Sequence, residues 1–156
     1  MQIIIQDLLQ IVRDYRRKMA AITDPDFLFK PVHTTWSKIE VLGHMTDSAQ
    51  NNLRRFICGQ YEVEPPLIIY DQDFWVDANS YKDADKDGII QLWALLNERI
   101  AVILENMPAS NYQKVCNTGK DAAQLHTLEW LAADYVKHLK HHLNQIIPQS
   151  FNIVYP

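Results

Sequence analysis

The sequence predicts an all-α protein, a four-helix bundle with one long crossover connection between its second and third helices. Three features of the 156-residue chain favour this fold. Apolar residues recur at helical spacing, long strand-like alternation is absent, and only four glycines are available for tight turns. A chain of this length is most simply one domain, so we expect residues 1–156 to form a single bundle. The predicted helices cover about residues 2–22, 37–58, 86–106 and 127–147.

The first two helices are predicted from their periodicity and their ends. Residues 2–22 place apolar side chains on one face, and Pro25 ends the segment because proline disfavours helix in the preceding residue. The second helix begins with a capping-box pattern, in which Ser37 can cap and Glu40 stands three residues later. Gly59 marks its predicted end.

The connection and the last two helices follow from turn signals. Residues 60–87 contain two adjacent prolines, many acids and several aromatics, and a connection this long is usually a functional or crossover segment. We expect a short helix around residues 73–79 within it. The third helix stops before Pro108, residues 111–124 are typical of a polar loop, and the fourth helix stops before Pro148. Such a bundle commonly holds metals between facing helices.

Composition narrows the classes of function. The net charge of -4, without clustered Lys and Arg, argues against a nucleic-acid partner. No apolar run approaches the roughly 20 residues that span a bilayer, and the amino terminus lacks a signal-peptide pattern, so we expect a cytoplasmic protein without membrane contact. Cys58 and Cys116 form no CxxC motif, and we expect both to be free thiols in a reducing compartment.

His138 and His142 are the most informative pair of residues. Residues four apart lie one above the other on a helix, so the two imidazoles can grip one divalent metal. His142 falls within the apolar stripe of the fourth helix and His138 on its edge, whereas His141 points further away. The alternative is that both are half-buried histidines that bind water alone. A catalytic zinc-type site usually takes three protein ligands, and His44 is the leading candidate for the third.

The position of His44 leaves two interpretations open. Its helix turns a broad apolar arc to one side, and His44 lies nearly opposite the centre of that arc, on a polar stripe with Ser48, Asn51 and Arg55. Either this stripe is an ordinary wet surface, or it lines a polar cavity while the apolar arc packs elsewhere. Periodicity alone favours the wet surface.

Three motifs occur in a characteristic order. They are WSKIEVLGHMTDSAQNNLRRF at residues 36–56, PLIIYDQDFW at residues 66–75 and HLKHHLNQI at residues 138–146. Their ordered combination resembles the DinB/YfiT-like superfamily of metal-dependent enzymes. The resemblance covers nearly the whole chain, and it implies a four-helix bundle in which three histidines bind a divalent metal. Carried over to this sequence, the metal ligands are His44, His138 and His142.

Other positions agree with the family pattern to different degrees. Asp47 and Ser48 match the Asp-Ser that follows the first ligand. In the last helix, relatives often carry Trp before the first histidine of the pair and Gly after it, where this chain has Lys137 and Leu139. The pocket beside the metal is therefore expected to differ in shape.

Three neutral imidazoles leave the charge of a bound metal uncompensated, so water or thiol on the metal becomes acidic. Imidazole ligands suit several metals, and we expect zinc or nickel as the cofactor. The family contains enzymes that transfer or isomerise with a low-molecular-weight thiol, and others described as hydrolases. The resemblance therefore implies a metal-dependent enzyme that acts on a small molecule, activating a small thiol for S-transfer or a water for hydrolysis. The alternative is a non-catalytic metal-binding dimer that serves as a binding or stress-response module.

Further roles are predicted for residues around the histidines. Asp47 and Asp134 each stand one turn from a predicted ligand and could orient its ring, or else are surface carboxylates. Asn51 and Arg55 share the stripe of His44 and could meet an anionic substrate, or else are solvated. The candidates for catalysis are therefore Asp47, Asn51 and Arg55. We also expect a homodimer, because the apolar arc of the second helix is broader than one bundle needs.

Overall fold

Four long helices form the body of the molecule. The structure is a computed structural model that describes residues 1–30, 32 and 34–155. The helices are α1 (Gln2–Ala20), α2 (Asp24–Leu28), α3 (Lys38–Tyr61), α4 (Gln72–Ala78), α5 (Lys86–Asn106) and α6 (Leu128–Ile146), and the strands are β1 (Val115–Asn117) and β2 (Leu125–Thr127). Helices α1, α3, α5 and α6 make the bundle, in which α3 packs against both α5 and α6 and α1 packs against α5. The predicted all-α class and the long crossover between α3 and α5 are confirmed.

The apolar core lies between these four helices. Leu8 of α1, Leu42 of α3, Trp93 of α5 and Leu139 of α6 are each 0% exposed. At about 25 cal/mol per Å² of apolar surface removed from water, burial on this scale is the dominant stabilising contribution. The core therefore fixes how α3 and α6 face each other.

The ends of the helices agree with the capping signals, with one refinement. The capping box is present, because the backbone N–H of Ser37 donates to Glu40 Oε2 at 2.8 Å. The first helix ends at Ala20, earlier than predicted, because the side chain of Thr23 caps the short helix α2 instead. The predicted helix at residues 73–79 corresponds to α4, and the predicted third helix has the bounds of α5.

Gly59 does not end the second helix, contrary to prediction. Helix α3 continues to Tyr61, and Gly59 lies inside it without a positive φ. A Cβ atom on Gly59 would lie 2.6 Å from Leu128 Cδ2. The glycine thus permits the close approach of α6 rather than a turn.

The segment predicted as a polar loop contains a small antiparallel hairpin. Strand β1 pairs with β2 in a register that places Cys116 opposite His126. The backbone N–H of Ile68, in the crossover connection, donates to the carbonyl of Asn117 at 3.1 Å. The hairpin thereby holds the crossover against the end of α3.

Most of the apolar arc of α3 is buried within one chain. Five of its six main members are fully buried, namely Ile39, Leu42, Met45, Ala49 and Phe56, and the sixth, Leu53, is half-buried against the core. The arc therefore packs mainly inside its own bundle, and the homodimer stays a prediction.

The cysteines and the apolar character of the helices were also predicted from the sequence. Cys58 and Cys116 are both free, as predicted, and Cys116 is buried. None of the helices in residues 1–30, 32 and 34–155 is long and apolar enough to cross a membrane.

Candidate metal centre

The structure brings the three predicted ligands together between α3 and α6. One nitrogen from each of His44, His138 and His142 lies within 4.8 Å of the other two. The Nε2 atoms of His44 and His138 are 3.1 Å apart, a distance at which one N–H donates to the other nitrogen. His44 is 1% exposed, whereas His138 and His142 are half-buried, so the cluster extends from the interior towards the surface. These three histidines could hold a metal ion.

Burial keeps the histidines in the neutral form that binds metals. Desolvation, followed by the repulsion of His142, lowers the pKa of His44 to about 3. Burial also holds the pKa of His138 well below its usual value and lowers the pKa of His142. All three rings are therefore neutral imidazoles at pH 7, and metal binding requires no proton to be removed from a charged ring.

The polar stripe of α3 lines the interior, as the second of the two open interpretations requires. Asp47, Ser48 and Asn51 are each less than 5% exposed. Every residue from Ile39 to Ala49 is buried, so α3 is enclosed on all its faces over three turns. The structure thus excludes the wet-surface interpretation that periodicity favoured.

Asp47 is held by the segment that follows α4. The hydroxyl of Tyr81 donates to Asp47 Oδ1 at 2.6 Å, and the amide of Asn79 donates to the same oxygen at 3.2 Å. The ring of Tyr81 lies where a Cβ on Gly43 would be, since that atom would come within 2.1 Å of Tyr81 Cδ2. Burial raises the pKa of Asp47 to about 6, although the bond from Tyr81 opposes this shift.

Among the described residues, neither Asp47 nor Asp134 forms a hydrogen bond with a ring of the cluster. Oδ1 of Asp47 accepts hydrogen bonds from Tyr81 and Asn79. Asp134 accepts a hydrogen bond from Tyr155 at 3.1 Å. Within the described ranges, the Nδ1 atoms of His44 and His138 and the second oxygen of Asp47 have no hydrogen-bond partner. By contrast, Nδ1 of His142 has a hydrogen-bond partner, because it lies 3.0 Å from the side-chain oxygen of Gln145.

Asn51 and Arg55 occupy different positions along the stripe. Asn51 is 1% exposed and donates to the carbonyl of Asp47 at 2.9 Å. Its side-chain oxygen has no partner in the part of the chain that the structure describes. Arg55 is half-buried and lines a cavity of about 110 Å³ that His138 also lines. Arg55 thus shares a cavity with His138, and Asn51 is buried within the bundle.

Several residues at the site escape prediction from the sequence. Trp36 packs on His44 with ring centroids 5.1 Å apart, and Tyr155 packs on His138 at 5.8 Å. Trp36 precedes the capping box, where a hydrophobic-staple residue points back at the helix. Tyr81 and Tyr155 lie in segments without periodicity, so no sequence pattern places them at the site.

The other histidines have different surroundings. His126 stacks on Trp130 with ring centroids 3.9 Å apart, away from the cluster. His141 packs edge-on against His142 at 4.9 Å but is not one of the three residues that converge. His33 lies outside the described residues.

The family assignment is decided by a match over most of the chain. The model of the DinB superfamily matches residues 8–146. The chain belongs to the DinB superfamily. The family resemblance seen in the motifs is thereby confirmed.

Two relatives are 25% and 28% identical in sequence to this chain. YfiT of Bacillus subtilis, named a putative metal-dependent hydrolase, is 25% identical over 146 residues, which cover 94% of this chain and 82% of YfiT. A putative metal-dependent hydrolase of Geobacillus thermodenitrificans is 28% identical over 113 residues, which cover 72% of this chain and 62% of that protein.

Solved structures show the same fold. The structure of YfiT, described as having an unusual four-helix bundle topology, matches with a TM-score of 0.74 at 21% identity and covers 93% of this chain and 86% of YfiT. A mycothiol-dependent maleylpyruvate isomerase matches with a TM-score of 0.69 at 11% identity. That match covers 89% of this chain but only 59% of the isomerase.

Proposed function

We propose that this protein is a metal-dependent enzyme in which His44, His138 and His142 hold a divalent metal and leave it a position for a small thiol or a water. The carrying observation is the convergence of three neutral imidazoles from α3 and α6 within 4.8 Å. Three protein ligands with an open position are typical of catalytic rather than structural zinc sites. We expect zinc or nickel, which are two of the metals that imidazole ligands suit.

The hydrogen-bonding state of the cluster supports metal binding. If each ring used Nε2 as its metal ligand, the proton would reside on Nδ1, which then needs an acceptor. Two such buried nitrogens, on His44 and His138, lack partners within the described residues, and so do buried oxygens of Asp47 and Asn51. These acceptors stand three and seven residues after His44, on the same face of α3. Buried polar atoms without a partner are thus found on two of the three predicted ligands and on residues that follow His44 along α3.

The chemistry of such an enzyme follows from its charge. A bound divalent metal, surrounded by neutral ligands, would supply Lewis acidity that makes a thiol or water a nucleophile near pH 7. The chain's own part is to keep the rings neutral by burial and to exclude bulk water through Trp36 and Tyr155. Relatives named as metal-dependent hydrolases support the hydrolytic form, and the mycothiol-dependent isomerase supports the thiol form.

Metal content tests the ligand set. Protein purified without a histidine tag would be analysed by plasma mass spectrometry as wild type and as His44→Ala, His138→Ala and His142→Ala, with circular dichroism to confirm folding. We expect about one equivalent of metal in wild type and a sharp loss in each variant. His126→Ala, which removes a histidine outside the cluster, is the matched control and should keep its metal. A wild type that stays empty after incubation with zinc and nickel would refute the proposal.

Activity distinguishes the enzyme from a non-catalytic binding module. The metal-loaded protein would be screened against pairs of thiols and electrophiles and against panels of esters and amides. Turnover that disappears in His138→Ala supports an enzyme. Loaded protein that turns over neither class would favour the metal-binding module.

A further inference from the structure

A small charged cavity lies directly beside the histidine cluster. It has a volume of about 110 Å³, and its lining includes Arg55, Tyr70, Asp134, His138 and Tyr155. One liquid water occupies about 30 Å³, so the cavity has room for roughly four waters or one small polar group. Because His138 forms part of its wall, a molecule bound there would reach the cluster with its other end.

Arg55 brings a positive charge into this cavity without an acidic partner. Its Nε and Nη2 donate to the carbonyl of Ile68 at 3.1 and 2.8 Å, and Nη1 donates to Asn52 Oδ1 at 3.3 Å. All these acceptors are neutral. No ion pair within 4.0 Å involves Arg55 among the residues that the structure describes. A guanidinium has five N–H donors, so at least two remain for a ligand.

Asp134 brings the opposite charge to the same cavity. Its Oδ2 accepts a hydrogen bond from the neutral hydroxyl of Tyr155 at 3.1 Å. Within residues 1–30, 32 and 34–155, no cation lies within 4.0 Å of Asp134 either. The cavity thus presents one positive and one negative group, which attract each other from beyond 4.0 Å and are hydrogen-bonded only to neutral partners.

This charge pattern selects the chemistry of a ligand. A simple anion would be attracted by Arg55 but repelled by Asp134, and a simple cation would meet the reverse. A ligand that carries both a carboxylate and an ammonium satisfies both groups, and charge-assisted hydrogen bonds are about twice as strong as neutral ones. The α-amino and carboxylate groups of an amino acid comprise few enough atoms for this space.

We propose that the cavity is a subsite for the α-amino-carboxylate head of a small substrate, with the carboxylate on Arg55, the ammonium on Asp134 and the side chain directed towards the histidine cluster. The inference deepens the proposed function and rests on it, because it makes the activated thiol a cysteine-type aminothiol. The preference for the head group, however, belongs to the protein's own charges and is measurable without metal.

The first experiment uses metal-free protein and alanine, which has the head group but no thiol. Titration followed by heteronuclear NMR should shift the backbone signals of Arg55, Asp134 and Tyr155. Propionate and ethylamine, each carrying only one of the two charges, should shift them much less at the same concentration. This arm tests the subsite even if the proposed metal function fails.

The second experiment uses zinc-loaded protein and four thiols, with affinity measured by calorimetry. We expect cysteine to bind at least tenfold more tightly than cysteamine, 3-mercaptopropionate or 2-mercaptoethanol. Arg55→Gln should reduce the affinity for cysteine to the affinity that wild type has for cysteamine, which lacks the carboxylate. Asp134→Asn should reduce it to the wild-type affinity for 3-mercaptopropionate, which lacks the ammonium. Neither variant should change the affinity for 2-mercaptoethanol by more than about twofold.

Matched controls separate the subsite from general charge effects. Arg54→Gln changes the exposed neighbouring arginine, and Asp121→Asn changes an exposed aspartate of the hairpin turn. Both should leave all four affinities unchanged. Because Arg55→Gln also removes the bonds to Ile68 and could unfold the crossover, Asp134→Asn and the ligand series in wild type give independent readings.

The outcomes distinguish failure of the head-group subsite from failure of the proposed metal-dependent function. Four thiols that bind to wild type within threefold of one another, together with absent shifts for alanine, would overturn the subsite and leave thiol activation standing. Shifts for alanine in a protein that takes up no metal would support the subsite and refute the proposed function.

Discussion

Gly43 should be one of the most sensitive positions in the protein, although it contacts no ligand. Replacing it by alanine adds one carbon, which would lie 2.1 Å from Cδ2 and 2.3 Å from Cγ of Tyr81. Carbon atoms pack at about 3.5–4.0 Å, so the aromatic ring must move by more than 1 Å or the helix must yield. Such a movement also pulls the hydroxyl of Tyr81 away from Asp47, to which it now donates at 2.6 Å.

The magnitude follows from three contributions. Overpacking a core costs about 1–3 kcal/mol, and losing a buried hydrogen bond to a charged group costs about 1.5–3 kcal/mol. The higher helix propensity of alanine returns about 1 kcal/mol. Gly43→Ala should therefore lower the free energy of unfolding by roughly 1.5–5 kcal/mol, which is a large fraction of the 5–15 kcal/mol of an ordinary domain.

Urea unfolding followed by circular dichroism measures this effect. Gly88→Ala is the matched control, because its added carbon meets only an exposed carboxylate of Asp85 at 3.0 Å, and it should change stability by less than about 1 kcal/mol. The decisive test repeats Gly43→Ala in a Tyr81→Ala background, where the ring is gone. The cost should fall to zero or become a gain, and an equal cost in both backgrounds would refute the proposed clash.

Three further outcomes follow from the structure. Tyr135→Phe should lower the free energy of unfolding by about 1–3 kcal/mol in urea titrations, because it leaves the buried side-chain oxygen of Asn97 without the donor that lies 2.7 Å away. Metal-free protein should lose stability as the pH falls from 7 to 5: the pKa of His44 is lowered to about 3 when folded, so protons bind the unfolded chain first, and His44→Asn should reduce this slope in unfolding curves measured at several pH values. Zinc at 100 times its dissociation constant should raise the unfolding free energy by about 2.7 kcal/mol, as measured by thermal or urea unfolding, and His142→Ala should abolish the gain.

Most of the helical framework follows from local signals in the sequence. The capping box at Ser37 and the proline after α5 fixed helix ends that the structure reproduces. The predicted helix end at Gly59 was wrong because glycine permits either a turn or a close approach of two segments. At Gly59 it permits close packing against Leu128. The hairpin was missed because its strands are three residues long, too short to show alternation.

The site itself was only partly predictable. His138 and His142 lie on one helix, so their spacing reveals them as a pair without any tertiary information. The hydrophobic periodicity of α3 predicted an exposed His44, because that reasoning assumes that one face of a helix is exposed to water. Helix α3 is instead buried on all its faces between Ile39 and Ala49. Tyr81 and Tyr155 reach the site from irregular segments, and only tertiary packing brings them there.

The buried polar residues of α3 differ in whether all their side-chain polar atoms have hydrogen-bond partners. The hydroxyl of Thr46 and the amide of Asn52 donate to carbonyls four residues earlier, so both satisfy themselves within the helix. The amide of Asn51 donates in the same way, but its side-chain oxygen, Nδ1 of His44 and one oxygen of Asp47 have no partner within the part of the chain that the structure describes. Each such atom costs about 1–3 kcal/mol, and the three together approach the whole stability of a small domain. Apolar residues of similar size would avoid this cost, so the stability of the fold does not explain this stripe, whereas the proposed metal site would.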